Sequence, residues 1–295
     1  MATIAHRRNY ISQLQLADGT IVTDHNLKAG LLWSAFKERL GVTEHTHMAF
    51  DLSDLIQSVD LPGLDVNFTK EEIDLAVRDK PSDHAPGPDG FNGLFMKKCW
   101  PIISEDFYRL CSQFCDGSVD LECINNSFIT LVPKKENPMT VNDFRPISLL
   151  NYSLKLLTKL LANRLQSVIL QIVHENQYGF IKGRTIQDCI AWAFQFLYIC
   201  HTSRREIVLL KLDFEKAFDK VEHHVILDML HHKGFSDKWV SWIKAVLTTS
   251  SSAVSGGARN LRLGMPHIKK FQSKYAIQWT ISYNGHNKFI IITKV

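Results

Sequence analysis

A carboxylate stands where a predicted strand meets a predicted helix. Residues 207–210 are four consecutive apolar residues, a pattern typical of a buried strand, and Asp213 follows at its end. From Ala217 the apolar residues recur at helical spacing, and Gly234 ends the predicted helix. Burying a carboxylate costs free energy unless a cation pairs with it. Asp213 is therefore a ligand of a divalent metal ion, or else a cap of the helix or a solvated strand end, and this stretch alone leaves these alternatives open.

Several basic residues have positions that suit phosphate binding. Lys134 and Lys135 follow a predicted strand over residues 127–132, and Arg145 lies in the next predicted strand. Arg184 lies in a glycine-punctuated loop. Arginine suits bidentate phosphate contacts, whereas lysine acts as a point charge. The pattern favours a fixed role for Arg145, and for Lys135 it favours a solvated surface charge.

The remaining pattern predicts a helix-rich chain with short strands. An Asp-Gly turn joins two strands within residues 14–22, and Asp24 caps a helix that ends at Gly41. The spacing of Thr69 and Glu72 predicts a capping box at the start of a short helix. A proline inside the strand at residues 143–149 predicts that this strand lies at an edge or at a bend of its sheet. The aromatic residues of the helix at 186–200 are predicted to lie in the core. Further helices are expected at 94–98, 104–115, 154–172 and 237–247, a polar linker at 248–252, and a hairpin within 279–293.

Composition limits the class of protein. The 295 residues carry a net charge of +4 and a hydrophobic fraction of 45%, which is ordinary for a globular chain. No Asp or Glu follows Asp237, whereas nine Lys and Arg do, which indicates a basic tail. The six cysteines form no CxxC pair and are expected to be reduced thiols.

The ends and the apolar runs of the sequence predict a protein that is intracellular and not secreted. The first ten residues lack the apolar core of a signal peptide, and no apolar run is long enough to span a bilayer. We therefore expect no membrane partner. The choice between nucleus and cytoplasm, and the oligomeric state, stay open.

Five motifs occur in an order that resembles the reverse transcriptase of non-LTR (LINE-type) retrotransposons, and the plant branch most of all. The resemblance runs from about Thr69 to Val254, and five ordered motifs are specific where one would be weak. The motifs are residues 85–91 (APGPDGF), 129–135 (ITLVPKK), 144–149 (FRPISL), 177–184 (QYGFIKGR) and 212–219 (LDFEKAFD).

This resemblance implies an α+β fold of the right-hand polymerase type. It predicts helix-rich fingers and a partial palm, followed by a C-terminal tail of unassigned fold. The expected divisions are a linker-like segment that precedes the polymerase at 1–60, fingers at 61–205, a partial palm at 206–254 and an unrelated basic tail at 255–295.

The resemblance also implies catalytic roles in DNA synthesis. Asp213 matches the first metal-binding carboxylate of the palm, and the backbone carbonyl of Phe214 matches a contact to a second ion. Phe218 matches the bulky residue that screens the sugar 2′ position. In the reaction implied, a primer 3′-OH attacks the α-phosphate of a dNTP, and two Mg²⁺ ions stabilise the attacking and leaving oxygens.

The remaining site residues are implied to hold nucleotide and nucleic acid. Lys134 and Arg145 match finger residues near the incoming triphosphate. Arg184 and Lys182 match a template-side element of the fingers. The implied partners are an RNA template, a DNA primer and dNTP.

The sequence departs from the family after the fifth motif. It contains no adjacent Asp-Asp pair and no Arg-Gln-Gly-Asp-Pro block, and the resemblance stops near Val254. A single carboxylate holds Mg²⁺ weakly, because Mg²⁺ keeps its waters unless more anionic ligands are present. The chain is therefore predicted to be a truncated domain that is inactive alone. The alternatives are a non-catalytic module that binds RNA or primer-template, and a non-functional retroelement remnant.

Overall fold

The protein is a mixture of helices and short sheets. The computed structural model describes residues 11–41, 56–204, 208–212, 221–255 and 289–293. In chain order the elements are β1 (Leu14–Gln15), β2 (Ile21–Val22), α1 (His25–Gly41), α2 (Lys70–Arg78), α3 (Gly93–Cys115), β3 (Asn126–Pro133), β4 (Phe144–Leu150), α4 (Tyr152–Ile172), α5 (Ile186–Thr202), β5 (Val208–Leu212), α6 (His223–His232), α7 (Asp237–Thr248), β6 (Ser251–Ser255) and β7 (Phe289–Thr293).

Local capping signals in the sequence set several helix ends. Thr69 and Glu72 form the predicted capping box of α2, in which each side chain accepts a hydrogen bond from the other residue's backbone N–H. Asp24 accepts from the N–H of Leu27 at 2.9 Å, which confirms it as a cap of α1. Gly234 follows α6 with a positive φ of 91°, as its predicted role at the helix end requires.

The larger hydrophobic core lies among α2, α3, α4, α6 and α7. Its most completely buried side chains include Ile73, Met96, Leu157 and Trp239. Arg164 of α4 is buried beside this core, forms an ion pair with Glu72 at 2.8 Å and donates to backbone carbonyls of residues 64–67. This buried, well-bonded cation ties α2 and the segment before it to α4.

The three-stranded sheet, of order β4-β3-β6, packs one face against the N-terminal unit. Strands β3 and β4 are antiparallel, and β3 and β6 are parallel. A second core joins this face to the unit that contains β1, β2 and α1. Its buried members are Ile11, Leu14, Leu32, Phe36, Ile129, Leu131 and Phe144. The edge position predicted for the proline-containing strand β4 is confirmed.

Two expected boundaries are wrong. The helices expected at 94–98 and 104–115 are one helix, α3, which continues through Pro101. A proline removes a single backbone donor, and core contacts on both sides of it keep α3 continuous. The expected polar linker ends in strand β6, because serine side chains pair across the sheet: the hydroxyls of Ser127 and Ser252 lie 2.6 Å apart.

The prediction that the aromatic residues of α5 lie in the core is also wrong. Phe194 and Tyr198 are 69% and 68% exposed, and Trp192 and Phe196 stack on each other with ring centroids 5.6 Å apart. Cys200 is the buried residue of this helix. Aromatic residues two apart in a helix point in different directions, so a single packed face cannot bury all of them.

The strand that precedes Asp213 is confirmed, and it pairs with the C-terminal region. Strand β5 runs parallel to β7, with Leu212 opposite Thr293. The expected hairpin within 279–293 keeps its second strand, whereas its first strand and turn lie outside the described residues. Among the described residues, no helix combines the length and the apolar character needed to cross a membrane.

Candidate nucleotide and nucleic-acid site

The β3–β4 pairing brings two of the predicted basic residues to one end of the sheet. The antiparallel register places Arg145 opposite Val132. The pairing continues beyond the strand, because the amide of Lys134 donates to the carbonyl of Asp143 at 2.8 Å. Side chains alternate between the two faces of a strand, so Lys134 and Arg145 share a face as diagonal neighbours.

Arg145 presents an available guanidinium. Its side chain is exposed, and within the described ranges it makes neither a hydrogen bond nor an ion pair. Strand β4 is an edge strand, where the missing N–H of Pro146 breaks no inner ladder. An exposed guanidinium on a backbone fixed by pairing can make bidentate contacts to a phosphate group.

The two lysines beside Arg145 differ in what holds them. Lys135 forms an ion pair with Asp143 at 2.9 Å. The pKa of the Asp143 carboxyl is held well below its usual range, mainly by the hydrogen bond from the backbone N–H of Thr140 and next by the hydrogen bond from Lys135. Lys134 is exposed, and its ammonium donates to a backbone carbonyl of the same turn at 2.8 Å. Lys135 therefore braces the turn, and Lys134 remains at the surface beside Arg145.

The Tyr-Gly loop, residues 177–184, is fastened at its base by Arg184. The Nη1 atom of Arg184 donates to the carbonyl of His174 at 2.8 Å and to that of Gln177 at 2.7 Å. The side chain of Ile181 is buried in the larger core and anchors the middle of the loop. Part of the Arg184 guanidinium thus maintains the shape of the loop on which it was predicted to contact a template.

The same loop exposes an aromatic residue that the sequence did not single out. Phe180 is 71% exposed and has a positive φ of 62°, which is uncommon for a bulky residue. Lys182 is exposed two residues later, and Gly183 has a φ of 89°. An exposed ring beside a cation suits base stacking combined with phosphate attraction. The signal for Phe180 was its place directly after a glycine in a loop.

The Pro-Gly loop, residues 85–90, packs its backbone against the start of α4. Asp89 accepts from the N–H of Tyr152 at 2.5 Å, and its own N–H donates to the side chain of Asn151 at 3.0 Å. A Cβ atom added to Gly87 would lie 2.2 Å from the carbonyl oxygen of Leu150. The loop therefore locks the end of β4 to the start of α4 and fixes the strand that carries Arg145.

The carboxylate end of the site falls outside the described residues. Strand β5 ends at Leu212, so the predictions for Asp213, Phe214 and Phe218 are not tested by the structure. Within the described ranges, no group of three or more His, Cys, Asp and Glu residues could hold a metal ion.

The region that contains β4 and the Tyr-Gly loop is similar to known proteins. Residues 132–267 match the family model described as reverse transcriptase (RNA-dependent DNA polymerase). The chain is 30% identical over 192 residues to the transposon TX1 uncharacterized 149 kDa protein of Xenopus laevis. It is 25% identical over 191 residues to the retrovirus-related Pol polyprotein from the type-1 retrotransposable element R2 of Popillia japonica. Residues 132–267 thus have the sequence of a reverse transcriptase domain of the kind found in non-LTR retrotransposon proteins.

The aligned regions are a small part of these relatives. The match to the Xenopus protein covers 65% of this chain and 15% of that protein, and the match to the Popillia protein covers 64% and 26%. A Drosophila melanogaster Pol polyprotein, from the type-2 retrotransposable element R2DM, is 25% identical over 63% of this chain and 17% of its own length. The chain thus spans about a quarter or less of each of these relatives.

The matched region of the reverse transcriptase domain contains every predicted site residue. Lys134 is near its start, and the match continues to residue 267, beyond the point near Val254 where the motif resemblance stops. The proposed division at residue 255 stays a prediction.

Proposed function

We propose that this chain is the fingers and partial palm of a reverse transcriptase domain, and that the β3–β4 face holds the triphosphate of an incoming dNTP. The observation that carries this proposal is the exposed guanidinium of Arg145, which pairs with no described residue and lies beside Lys134 inside the matched region. A triphosphate is a dense anion, and a fixed Arg with a neighbouring Lys provides both directional and point-charge contacts.

The Tyr-Gly loop supplies the template side in this proposal. Phe180 stacks on an unpaired base of an RNA template, and Lys182 contacts its backbone. Arg184 fixes the loop through its two carbonyl contacts and keeps both side chains presented. Stacking on an aromatic ring tolerates any base, which suits a polymerase that copies varied templates.

The palm side is proposed to be incomplete in this 295-residue chain. Asp213 is the carboxylate that the resemblance assigns to Mg²⁺, with the Phe214 carbonyl as a further contact and Phe218 as the sugar-screening residue. No Asp-Asp pair exists in the sequence, and no acidic residue follows Asp237. One carboxylate and one carbonyl do not make a donor set that holds a pair of Mg²⁺ ions. We therefore propose that the chain binds its substrates and does not polymerise DNA alone.

A non-catalytic module that binds RNA or primer-template is the second candidate. The exposed Phe180 and Lys182 favour it, because they need no metal ion to bind a strand. The two candidates share a binding surface and differ in whether nucleotide is bound and incorporated.

Nucleotide binding and primer extension test the proposal. We expect a fluorescent dNTP analogue to bind the chain about tenfold more weakly after Arg145→Ala, because one charge-assisted contact contributes about 1.5–3 kcal/mol. The matched control is Arg109→Ala, which removes an exposed arginine that pairs with Asp106 on α3. Equal binding by both variants would contradict the assignment of the triphosphate to Arg145.

Primer extension with Mg²⁺ addresses the incomplete palm separately. We expect no DNA synthesis by this chain on an RNA template. Robust synthesis that is abolished in Asp213→Asn would overturn the proposal that the chain is inactive alone.

A further inference from the structure

Three lysines lie together behind the Pro-Gly loop. Lys80 precedes the loop, and Lys155 and Lys159 are one turn apart on the same face of α4. The ammonium of Lys80 lies 4.8 Å from the ring centroid of Tyr152, and that of Lys155 donates to the carbonyl of Ala85 at 3.0 Å. The site predicted from the sequence motifs uses none of these lysines.

The protein compensates the charges of this group only in part. Burial, reinforced by the charges of Lys155 and Lys159, lowers the pKa of Lys80 to about 7. In the described part of the chain, none of the three lysines forms an ion pair with a carboxylate. Burial lowers the pKa of Lys155, and the nearby Asp89 carboxylate, which accepts hydrogen bonds from two backbone N–H groups, partly opposes this shift.

Two further features of this region cost free energy when no ligand is bound. Tyr152 is only 3% exposed, and its buried hydroxyl has no hydrogen-bond partner among the described residues. A buried polar group without a partner is unusual in a folded protein. Lys155 lies in the first turn of α4, where the partial positive charge of the helix opposes a cation. Clustered like charges and an unsatisfied buried polar group are typical of binding sites.

We propose that Lys80, Lys155 and Lys159 form a phosphate-binding site that holds the backbone of a nucleic-acid strand. Consecutive phosphates of a strand, each with one negative charge, would compensate the three lysine charges. The proposal rests on the proposed function in that the strand is the template or primer of the reverse transcriptase domain.

The position of the lysine cluster favours a strand over a single nucleotide. Arg145 is near the start of β4, and Leu150 at its other end is ~16 Å away at the usual rise per residue. The cluster lies beyond Leu150, along α4. The cluster is therefore separate from the nucleotide position proposed at Arg145, and three neighbouring ammonium groups suit consecutive phosphates of a strand.

Binding of a labelled single-stranded RNA oligonucleotide as a function of salt tests this site. The variants are Lys80→Gln, Lys155→Gln, Lys159→Gln and their triple combination, and Lys244→Gln on α7 is the exposed control. For single strands, the slope of log affinity against log salt falls by about 0.7 for each phosphate that the protein no longer neutralises. We expect the triple variant to reduce this slope by about 2 and the affinity at least tenfold, and the control to change neither.

Two further measurements test whether a loss of affinity comes from unfolding and whether the site binds free phosphate in place of a strand. A triple Lys→Arg variant retains the charges, so it should retain RNA affinity; together with unchanged circular dichroism, this excludes a reduced affinity caused by unfolding. Pyrophosphate binding, measured by calorimetry, tests a free-phosphate source. If pyrophosphate binding depends on the cluster and RNA binding does not, the strand assignment is overturned.

An unchanged salt slope in the triple Lys→Gln variant, with normal RNA binding by the parent chain, overturns the site. Failure of the proposed function has a different signature, because Arg145→Ala would then leave nucleotide-analogue binding unchanged. The two readouts use different probes, so one result can fail without the other.

Discussion

The Pro-Gly loop and the Tyr-Gly loop are both rich in glycine, yet they use it in opposite ways. Gly87 of the first loop is buried, and its missing Cβ allows contact with the backbone of Leu150. Gly183 of the second loop has open space around it and a φ of 89°. The first glycine permits close approach, and the second permits a turn that presents Phe180 and Lys182. A glycine-rich motif can therefore serve the interior or the surface, and packing distinguishes the two.

The largest expected effect separates the two glycines. Gly87→Ala should destabilise the fold by about 3 kcal/mol, because the new methyl group would overlap a backbone carbonyl that cannot move freely. Gly183→Ala should cost only about 1–2 kcal/mol, since its new methyl group meets no atom within 4 Å and the cost comes only from the left-handed backbone. Urea denaturation of both variants measures the difference. Equal destabilisation would remove the distinction between the loops.

The next effect concerns the cap that the Pro-Gly loop gives to α4. Asp89→Ala should reduce the free energy of unfolding by about 2 kcal/mol, because it removes the acceptor for the N–H of Tyr152. Asp188→Ala is the matched control in the capping box of α5, an exposed cap expected to cost about 1 kcal/mol. Chemical denaturation compares them. A larger destabilisation from the exposed cap would contradict the inward role of the Pro-Gly loop.

Sequence patterns predicted the parts of the fold that depend on near neighbours. The capping box at Thr69, the Asp24 cap and the edge strand with Pro146 each follow from local chemistry and are confirmed. The continuity of α3 through Pro101 was not predictable, because contacts distant in sequence override the local penalty of a proline. The strand over Ser251–Ser255 was missed for the same reason, since its partner strand lies more than 100 residues earlier.

The candidate site was likewise predictable only where local sequence patterns determine it. Two strands of known period placed Lys134 and Arg145 on one face, so their proximity follows from register. The lysine cluster joins residues 80 and 155, which no spacing rule connects. The internal role of Asp89 likewise depends on a contact across 63 residues. Long-range packing, which sequence periodicity does not encode, accounts for both.

A smaller effect comes from the buried charge beside the Pro-Gly loop. The folded chain releases the Lys80 proton near pH 7, whereas the unfolded chain keeps it up to about 10.5. Between these values the unfolded state binds more protons, so stability rises as the pH rises. We expect the parent chain to gain about 1 kcal/mol between pH 7 and 8 relative to Lys80→Met. Lys155 and Asp89 are present in both chains, so the difference isolates Lys80. Parallel pH profiles for the two chains would argue against burial of this charge.

Phe180→Ala should have the smallest effect on stability and still weaken RNA binding measurably. Phe180→Ala removes an exposed ring, so the free energy of unfolding should change by less than about 0.5 kcal/mol. RNA binding should weaken by about 1 kcal/mol, because stacking on one base contributes about 1–3 kcal/mol. Since stacking neutralises no phosphate, the salt slope should stay unchanged, unlike that of the lysine variants.

Phe194→Ala on α5 is the control for Phe180, because it removes a ring of similar exposure from a helix without Lys or Arg. If Phe194→Ala weakens RNA binding as much as Phe180→Ala does, exposure alone accounts for the effect, and the Tyr-Gly loop has no special role. If only Phe180→Ala weakens RNA binding, the position of Phe180 in the Tyr-Gly loop accounts for the effect. Its unusual φ then turns the ring outward, while Ile181 and Arg184 fix the backbone of the loop.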